Sequence, residues 1–178
     1  MLTRSQLSRS VMVLACFIGL FASGYLLYTY VTGADIACAI VSGCDVIRAS
    51  EWAYTYGIPR PFLGLVFYAG VIGLLILRSA TMWRKKLLYR LTVLAAIIAF
   101  IESGFLFVIQ WLDVKAFCFW CLLSALASVL LIAAAPFDKP EDDQEIASMR
   151  ELKRYFLSLL IYFPIALIGF ILLIRTRG

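Results

Sequence analysis

The sequence predicts an all-α integral membrane protein, a four-transmembrane-helix bundle with a fifth transmembrane helix and an outer amphipathic lid helix. Of the 178 residues, 63% are hydrophobic, whereas soluble domains have about 45–50% apolar residues. The mean hydropathy is +0.95, and the apolar residues are gathered into long, almost uncharged runs. A large domain outside the membrane is therefore excluded.

Five apolar runs mark the transmembrane helices, and each is near the length of about 20 residues that a helix needs to cross about 30 Å of hydrocarbon. They are apolar all round, which excludes the short alternating strands of a membrane barrel. The runs cover residues 11–31, 62–77, 91–112, 116–135 and 155–174. We expect a bundle in residues 1–136 with its outer loop and lid at 32–60, a cytoplasmic linker at 137–154, and the fifth helix at 155–178.

The lysines and arginines indicate topology rather than nucleic-acid binding, because they lie between the apolar runs and not on one face. With the N-terminus inside, eleven of the sixteen fall on the inner side. This bias predicts a cytoplasmic N-terminus in the inner (plasma) membrane of a bacterium, or in the ER membrane of a eukaryote. The inner segment 136–154 is also acidic, and we interpret it, including Asp138, as a solvated linker.

Cysteine is the reactive residue of this chain, which has five cysteines and no histidine. Imidazole bases and histidine-containing metal sites are therefore excluded. The predicted topology puts Cys38, Cys44, Cys118 and Cys121 together on the outer, oxidising side, where disulfides form and persist. Cys16 lies near the opposite surface, and we expect it to be an unmodified packing residue.

The second cysteine pair, Cys118 and Cys121, has the spacing of a redox-active CxxC motif. We expect it in the first turns of a helix that starts near residues 114–116, where free backbone N–H groups and the helix dipole favour a thiolate. Residues three apart share a helix face. Cys118 is then expected to be the exposed thiol, with Cys121 about 4.5 Å deeper along the axis, where it can meet a lipid-soluble oxidant.

The first pair lies in a loop, and the lid helix is predicted directly after it. Cys38 and Cys44 are separated by five residues that include Gly43, so the loop can close a disulfide. Asp45 is a favourable N-cap, Gly57 a favourable C-cap, and Pro59 a stop signal. The resulting helix over 45–56 is too short to span the membrane, and its aromatic residues suit the headgroup level.

Other functions remain open from the residues alone. The four outer cysteines would also suit a non-catalytic membrane scaffold with two structural disulfides. An all-cysteine zinc or iron–sulfur site fits less well, because such pairs are usually spaced by two to four residues, and we expect no metal. Glu102, near the middle of its helix, suggests either a functional acid, as in a small transporter, or a protonated acid satisfied by a neighbouring helix.

The order of these motifs resembles the vitamin K epoxide reductase family, in its bacterial branch, over residues 11–135. Alone, each motif is short, but two cysteine pairs in this order on one membrane face are specific. The matching residues are Cys38 and Cys44, Ser50 and Trp52 in the following helix, Gly57-Ile58-Pro59, Phe62-Leu63-Gly64, and Phe117-Cys118-Phe119-Trp120-Cys121-Leu122.

The resemblance implies a four-helix bundle around a quinone of the ubiquinone, menaquinone or vitamin K type. It implies that Cys38 exchanges with a partner thiol, that Cys44 exchanges with Cys118, and that Cys121 faces the quinone. Many bacterial members carry a thioredoxin-like domain after a fifth helix, whereas this sequence ends just beyond it. The donor is therefore expected to be a separate thioredoxin-like (DsbA-like) protein or a thioredoxin-like domain missing from this sequence. Vitamin K epoxide or quinone reduction, as in the animal branch, is the alternative, although the family's animal asparagine corresponds to Arg60.

The predicted quinone pocket contains Cys121 together with four further residues. Ser50 matches a serine or threonine of the family's lid helix. Gln110 and Tyr68 are each expected either to hydrogen-bond a quinone carbonyl or to bond across helices. The fourth is Phe62, at the start of the second transmembrane helix.

Overall fold

Four helices of the computed structural model, within the residues that it describes (4–38, 43–80 and 85–138), are long and apolar enough to cross a membrane. The elements in chain order are α1 (Arg4–Thr32), α2 (Cys44–Ala49), β1 (Tyr54–Thr55), β2 (Ile58–Pro59), α3 (Arg60–Ala80), α4 (Lys85–Leu112) and α5 (Phe119–Ala134). Of these, α1, α3, α4 and α5 match the first four apolar runs and confirm a multi-pass helical membrane protein. The predicted fifth helix and residues 139–154 of the predicted linker lie outside the described residues.

The four long helices close into a bundle. α1 packs against α3 and α5, and α4 also packs against α3 and α5. A buried apolar cluster that includes Met12, Cys16, Tyr68 and Leu131 holds the helices together. Cys16 is a fully buried free thiol in this cluster, as the sequence predicted.

The start of α5 differs from the prediction by about one turn. The helix begins at Phe119 with Cys118 as its N-cap, not near residues 114–116. Lys115 has a positive φ of 53°, which interrupts helical backbone. The backbone N–H of Ala116 instead donates to the Gln110 carbonyl oxygen (3.1 Å). These contacts hold residues 113–117 as a loop.

The predicted single lid helix over 45–56 is wrong in its extent. α2 covers only Cys44–Ala49, and Asp45 lies in its first turn, where its carboxylate pairs with Arg48 at 3.0 Å. The extended backbone of Ser50 ends α2, and a single 3-10 turn, Glu51–Ala53, follows. We call the segment from Cys44 to Ala53 the lid.

A hairpin, and not a helix C-cap, follows the lid. β1 and β2 are antiparallel, with Thr55 opposite Ile58. Tyr56 and Gly57 form the two-residue turn, and both have positive φ (51° and 81°), as a type I′ turn requires. Gly57 was predicted to end a helix, but the same tolerance of positive φ serves a hairpin turn here.

Asp138 contradicts the prediction of a solvated linker that begins before it. The residue is fully buried at the end of the bundle opposite the four cysteines. Its carboxylate accepts hydrogen bonds from Arg78 on α3 (2.7 Å) and Arg9 on α1 (3.2 Å), and its carbonyl oxygen accepts another from Arg78. Because a buried carboxylate needs such partners, Asp138 belongs to the bundle and ties three helices together.

Candidate active site with four cysteines

The structure brings the four predicted cysteines together at one end of the bundle, which we call the cysteine end. Cys44 and Cys118 are buried in one cluster, and Cys38 and Cys121 pack against it. Cys38 and Cys44 form a disulfide with their Cα atoms 6.5 Å apart. Cys118 and Cys121 are free thiols. A disulfide and a dithiol thus lie side by side, which is the arrangement that thiol–disulfide exchange needs.

Close backbone contact explains how Cys44 reaches Cys118. Gly43 is buried against the residue before Cys118, so that a Cβ added to Gly43 would lie 2.6 Å from the Phe117 carbonyl oxygen. Only glycine fits this approach. Cys44 directly follows Gly43, and Cys118 directly follows Phe117. Their contact therefore brings the two cysteines into the same buried cluster.

The prediction that Cys118 is the exposed thiol is wrong. Cys118 is 1% exposed because the loop and the lid cover it, whereas Cys121 is partly exposed and lines a cavity in the bundle. Cys121 is nevertheless one turn further into α5, as predicted. The two thiols therefore face different surroundings, with Cys118 on the side of Cys44 and Cys121 on the side of the cavity.

The Cys118 thiol has a pKa below its ordinary value. The main cause is a hydrogen bond from the Cys121 thiol, and the backbone N–H groups of Trp120 and Cys121 lower the pKa further. Burial and the charge of Asp45 oppose the shift. Because donors at the first turn of a helix stabilise a thiolate, Cys118 is the more acidic member of the pair.

The cavity beside Cys121 has a volume of about 620 Å³ and is mainly apolar. Residues from all four long helices and from the lid line it, among them Leu26, Leu63, Tyr68, Ile109, Cys121 and Ala53. Cavities of about 300–1,000 Å³ with a few polar groups are typical of sites for small ligands. Its size and apolar lining fit the ring of a lipid-soluble quinone.

Gln110 connects this cavity to the cysteines. Its side chain is buried, and its Oε1 atom accepts the backbone N–H of Cys118 at 2.9 Å. This bond identifies the other side-chain atom as the NH₂ donor. Gln110 also lines the cavity, so its NH₂ group can donate to a ligand oxygen there.

The other predicted pocket residues differ in their roles. Tyr68 lines the cavity, but its hydroxyl donates to the Ser124 carbonyl oxygen at 2.9 Å, which is the interhelical bond foreseen as the alternative. Ser50 also lines the cavity, with its hydroxyl bonded to the Ile47 carbonyl oxygen. Phe62 does not line the cavity. Its side chain is exposed at the bundle surface.

An ion pair in the cavity wall was not predicted. Arg60, at the start of α3, pairs with Glu102 of α4 at 2.6 Å, and both line the cavity. The Arg60 Nε atom is buried and has no partner within the described part of the chain. This orphaned donor fits an acceptor oxygen of a bound ligand. The available signal was Arg60 just before the second apolar run and Glu102 within the third. The sequence does not place these two charges at one depth.

Trp52 of the lid was assigned to the membrane interface from the sequence. It lines the cavity, and its indole N–H donates to the Asp113 carboxylate at 2.5 Å. Arg48 adds hydrogen bonds to the carbonyl oxygens of Thr29 (3.3 Å) and Ala34 (2.7 Å). These bonds fasten the lid over the cysteine end.

Comparison with known proteins agrees with this site. The sequence model of the vitamin K epoxide reductase family matches residues 10–135. The thiol-disulfide oxidoreductase LTO1 of Arabidopsis thaliana is 27% identical over 139 residues, which are 72% of this chain and 36% of that protein. The chain thus spans about a third of that relative's length. Together these similarities support a thiol–disulfide redox function at a membrane. The family match includes parts of all four bundle helices and all four clustered cysteines, and the chain belongs to the vitamin K epoxide reductase family.

Proposed function

We propose that this protein is a quinone-dependent thiol–disulfide oxidoreductase that supports disulfide-bond formation. Electrons would pass from a separate thioredoxin-like protein through Cys38 and Cys44 to Cys118 and Cys121, and then to a quinone. One observation carries the proposal: Cys44 and Cys118 share one buried cluster while Cys121 lines a large apolar cavity. A scaffold with static disulfides has no need of a free thiol at a cavity.

The first exchange takes place at Cys38. A partner thiolate attacks its sulfur, a mixed disulfide forms, and Cys44 leaves as a thiolate. Cys38 is half-buried whereas Cys44 is 2% exposed, so the partner reaches Cys38. The second partner thiol then releases Cys38 and becomes part of the partner's own disulfide. Two electrons have thereby reached the Cys38–Cys44 pair.

The second exchange links the two pairs. The Cys44 thiolate attacks Cys118 in a Cys118–Cys121 disulfide and releases Cys121, and Cys38 then attacks Cys44 and releases Cys118. The products are a Cys38–Cys44 disulfide and a Cys118–Cys121 dithiol, which is the combination in this structure. The low pKa of Cys118 makes it the better leaving group.

The cavity is the proposed quinone site. When bound there, a quinone would supply an acceptor for two electrons and two protons, which the dithiol provides as it closes to a disulfide. Gln110 and Arg60 would hold its oxygen atoms through the Gln110 NH₂ group and the Arg60 Nε–H group, which is unpartnered among the described residues. Tyr68, Ser50 and Trp52 of the lid would form the walls and exclude water.

The placement in the membrane is also proposed. The positive-inside bias supports a cytoplasmic N-terminus and puts the cysteine end on the periplasmic face of a bacterial plasma membrane, or the lumenal face of the ER membrane. An oxidising compartment agrees with the Cys38–Cys44 disulfide. We also retain the proposed division of the chain into a bundle, a short linker and a fifth transmembrane helix at 155–178.

The test is the absorbance of an added quinone after the purified protein is mixed with a reduced thioredoxin-like donor. Catalytic reduction of the quinone that requires both donor and protein is expected. Cys16→Ser is the matched cysteine control and should react like the wild type, because Cys16 is buried in a different cluster. No quinone reduction with any donor, while the Cys38–Cys44 disulfide persists, would instead indicate a structural disulfide.

A further inference from the structure

The residue before Cys38 is held by two aromatic side chains. The backbone N–H of Ala37 donates to the Tyr25 hydroxyl oxygen at 2.9 Å. The Ala37 carbonyl oxygen accepts the indole N–H of Trp120, also at 2.9 Å. Both main-chain polar groups of one loop residue are thus bound by side chains of the bundle, although Ala37 itself is exposed.

The two aromatic residues form a packed support. The rings of Tyr25 on α1 and Trp120 on α5 lie 4.4 Å apart between centroids. Phe21 and Phe119 contact the Trp120 ring at 5.8 Å and 5.4 Å. Because these rings belong to long transmembrane helices, the position of Ala37 depends on the bundle and not on the loop.

We propose that Trp120 and Tyr25 are positioning residues for thiol exchange at Cys38. They hold the Cys38 backbone at the surface, within disulfide distance of Cys44. Trp120 lies between the two cysteines of the CxxC pair and so connects the entry cysteine to the second redox pair. This role rests on the proposed function, because it assigns Cys38 as the residue that the partner attacks.

Two physical consequences follow from this support. The first is preorganisation: a loop whose Cys38 is already held near Cys44 loses less conformational freedom when the disulfide closes. The second is selectivity, because a fixed Cys38 cannot turn inward to Cys118, and Cys44 remains the exchange partner of Cys118. Without the support, both the stability of the disulfide and the choice of partner should change.

The test uses Trp120→Phe, which keeps an aromatic ring and removes the indole N–H. The measured quantity is the equilibrium between the Cys38–Cys44 disulfide and dithiol in defined redox buffers, read by alkylation and mass spectrometry. A neutral hydrogen bond changes an equilibrium constant by about two- to tenfold, so disulfide formation should weaken by that factor. A tenfold loss corresponds to about 30 mV for this two-electron couple. Trp111→Phe is the matched control, because Trp111 is exposed and packs on Phe107 away from this support.

A second variant, Tyr25→Phe, removes the other hydrogen bond and tests the same support if Trp120→Phe does not fold. In a Cys121→Ser background, either variant should also increase the share of Cys38–Cys118 over Cys44–Cys118 disulfide. Unchanged redox equilibrium and unchanged pairing in both folded variants would overturn the positioning role. Neither readout needs a donor or a quinone, so this failure is distinguishable from failure of the proposed function.

Discussion

Cys118 and Cys121 are three residues apart, yet their surroundings separate the two exchanges of the proposed pathway. Cys118 shares a buried cluster with Cys44, the first residue of the lid, and Cys121 lines the apolar cavity. At the scale of single residues, the chemistry therefore depends on which way each sulfur faces. Two predictions test this asymmetry.

Cys121→Ser should abolish quinone reduction, because only this sulfur of the pair lines the cavity. The Cys38–Cys44 disulfide should still form. In a fraction of the molecules the Cys118 thiolate, deprived of its partner, should attack Cys44 and release Cys38. Peptide mass spectrometry under non-reducing conditions detects the resulting Cys44–Cys118 disulfide. Quinone reduction at the wild-type rate would contradict the assignment of Cys121 as the thiol that reduces the quinone. A disulfide of Cys118 exclusively with Cys38 would mean that Cys38, and not Cys44, exchanges with Cys118.

Cys121→Ala should raise the pKa of Cys118, because it removes the hydrogen bond that contributes most to its lowered value. Cys121→Ser should raise it less, since a hydroxyl also donates. Thiolate absorbance measured against pH in a Cys16→Ser background, with Cys38 and Cys44 oxidised, reports Cys118 alone. The thiolate should persist to lower pH in Cys121→Ser than in Cys121→Ala, and identical titrations would contradict the role of this hydrogen bond.

The lid is the element whose structure depends most on the cysteines. It contains one six-residue helix and one 3-10 turn, too little regular structure to be stable alone. Its position comes from the bonds of Arg48 and Trp52 and from Cys44 at its first residue. A change of partner at Cys44 therefore acts directly on the start of the lid.

Backbone amide exchange across residues 46–53 should be slower when Cys44 is linked to Cys118 than when the clustered cysteines are reduced. The link attaches the start of the lid covalently to α5, whereas reduction leaves only hydrogen bonds. Hydrogen exchange with mass spectrometry on the trapped Cys121→Ser protein makes the comparison, with the middle of α4 as the internal reference. Equal protection in both states would mean that the lid is a rigid anchor.

At the scale of the whole molecule, buried charges close the end of the bundle opposite the cysteines. Asp138 joins Arg78 of α3 and Arg9 of α1, and the Arg78 guanidinium also stacks over the Tyr89 ring of α4 at 5.3 Å. The side chains of Asp138 and Arg78 are 1% and 4% exposed, whereas that of Arg9 is 41% exposed. The two ion pairs should therefore differ in their contribution to stability.

Asp138→Asn should lower the free energy of unfolding by about 3–5 kcal/mol, because it leaves the buried Arg78 without a counter-charge. Arg9→Gln should cost about 1 kcal/mol or less, since its guanidinium is partly solvated. Denaturant unfolding of the purified protein in detergent measures both. Similar losses for the two variants would show that burial does not distinguish these pairs.

Several features of this protein follow from local sequence alone. Long apolar runs must form helices in a bilayer, since no other continuous segment satisfies its own backbone hydrogen bonds there. The four bundle helices were therefore predictable, and so was the order of the cysteine pairs that resembles the family. The lid was predicted in the correct place but not in its extent, because Gly57 suits both a helix C-cap and a type I′ turn, and only contacts with the bundle choose between them.

Only the tertiary structure decided how the elements meet. Which thiol is covered depends on the close contact of Gly43 with Phe117, and these residues are far apart in the chain. The same holds for the Arg60–Glu102 pair, the burial of Asp138 and the support of Ala37 by Tyr25 and Trp120. The sequence by itself determined the helices and the chemistry of the thiols, because backbone satisfaction in lipid and cysteine spacing are local properties. The cavity, the covered thiol and the buried charges arise from packing between distant segments, and local patterns carry no information about that packing.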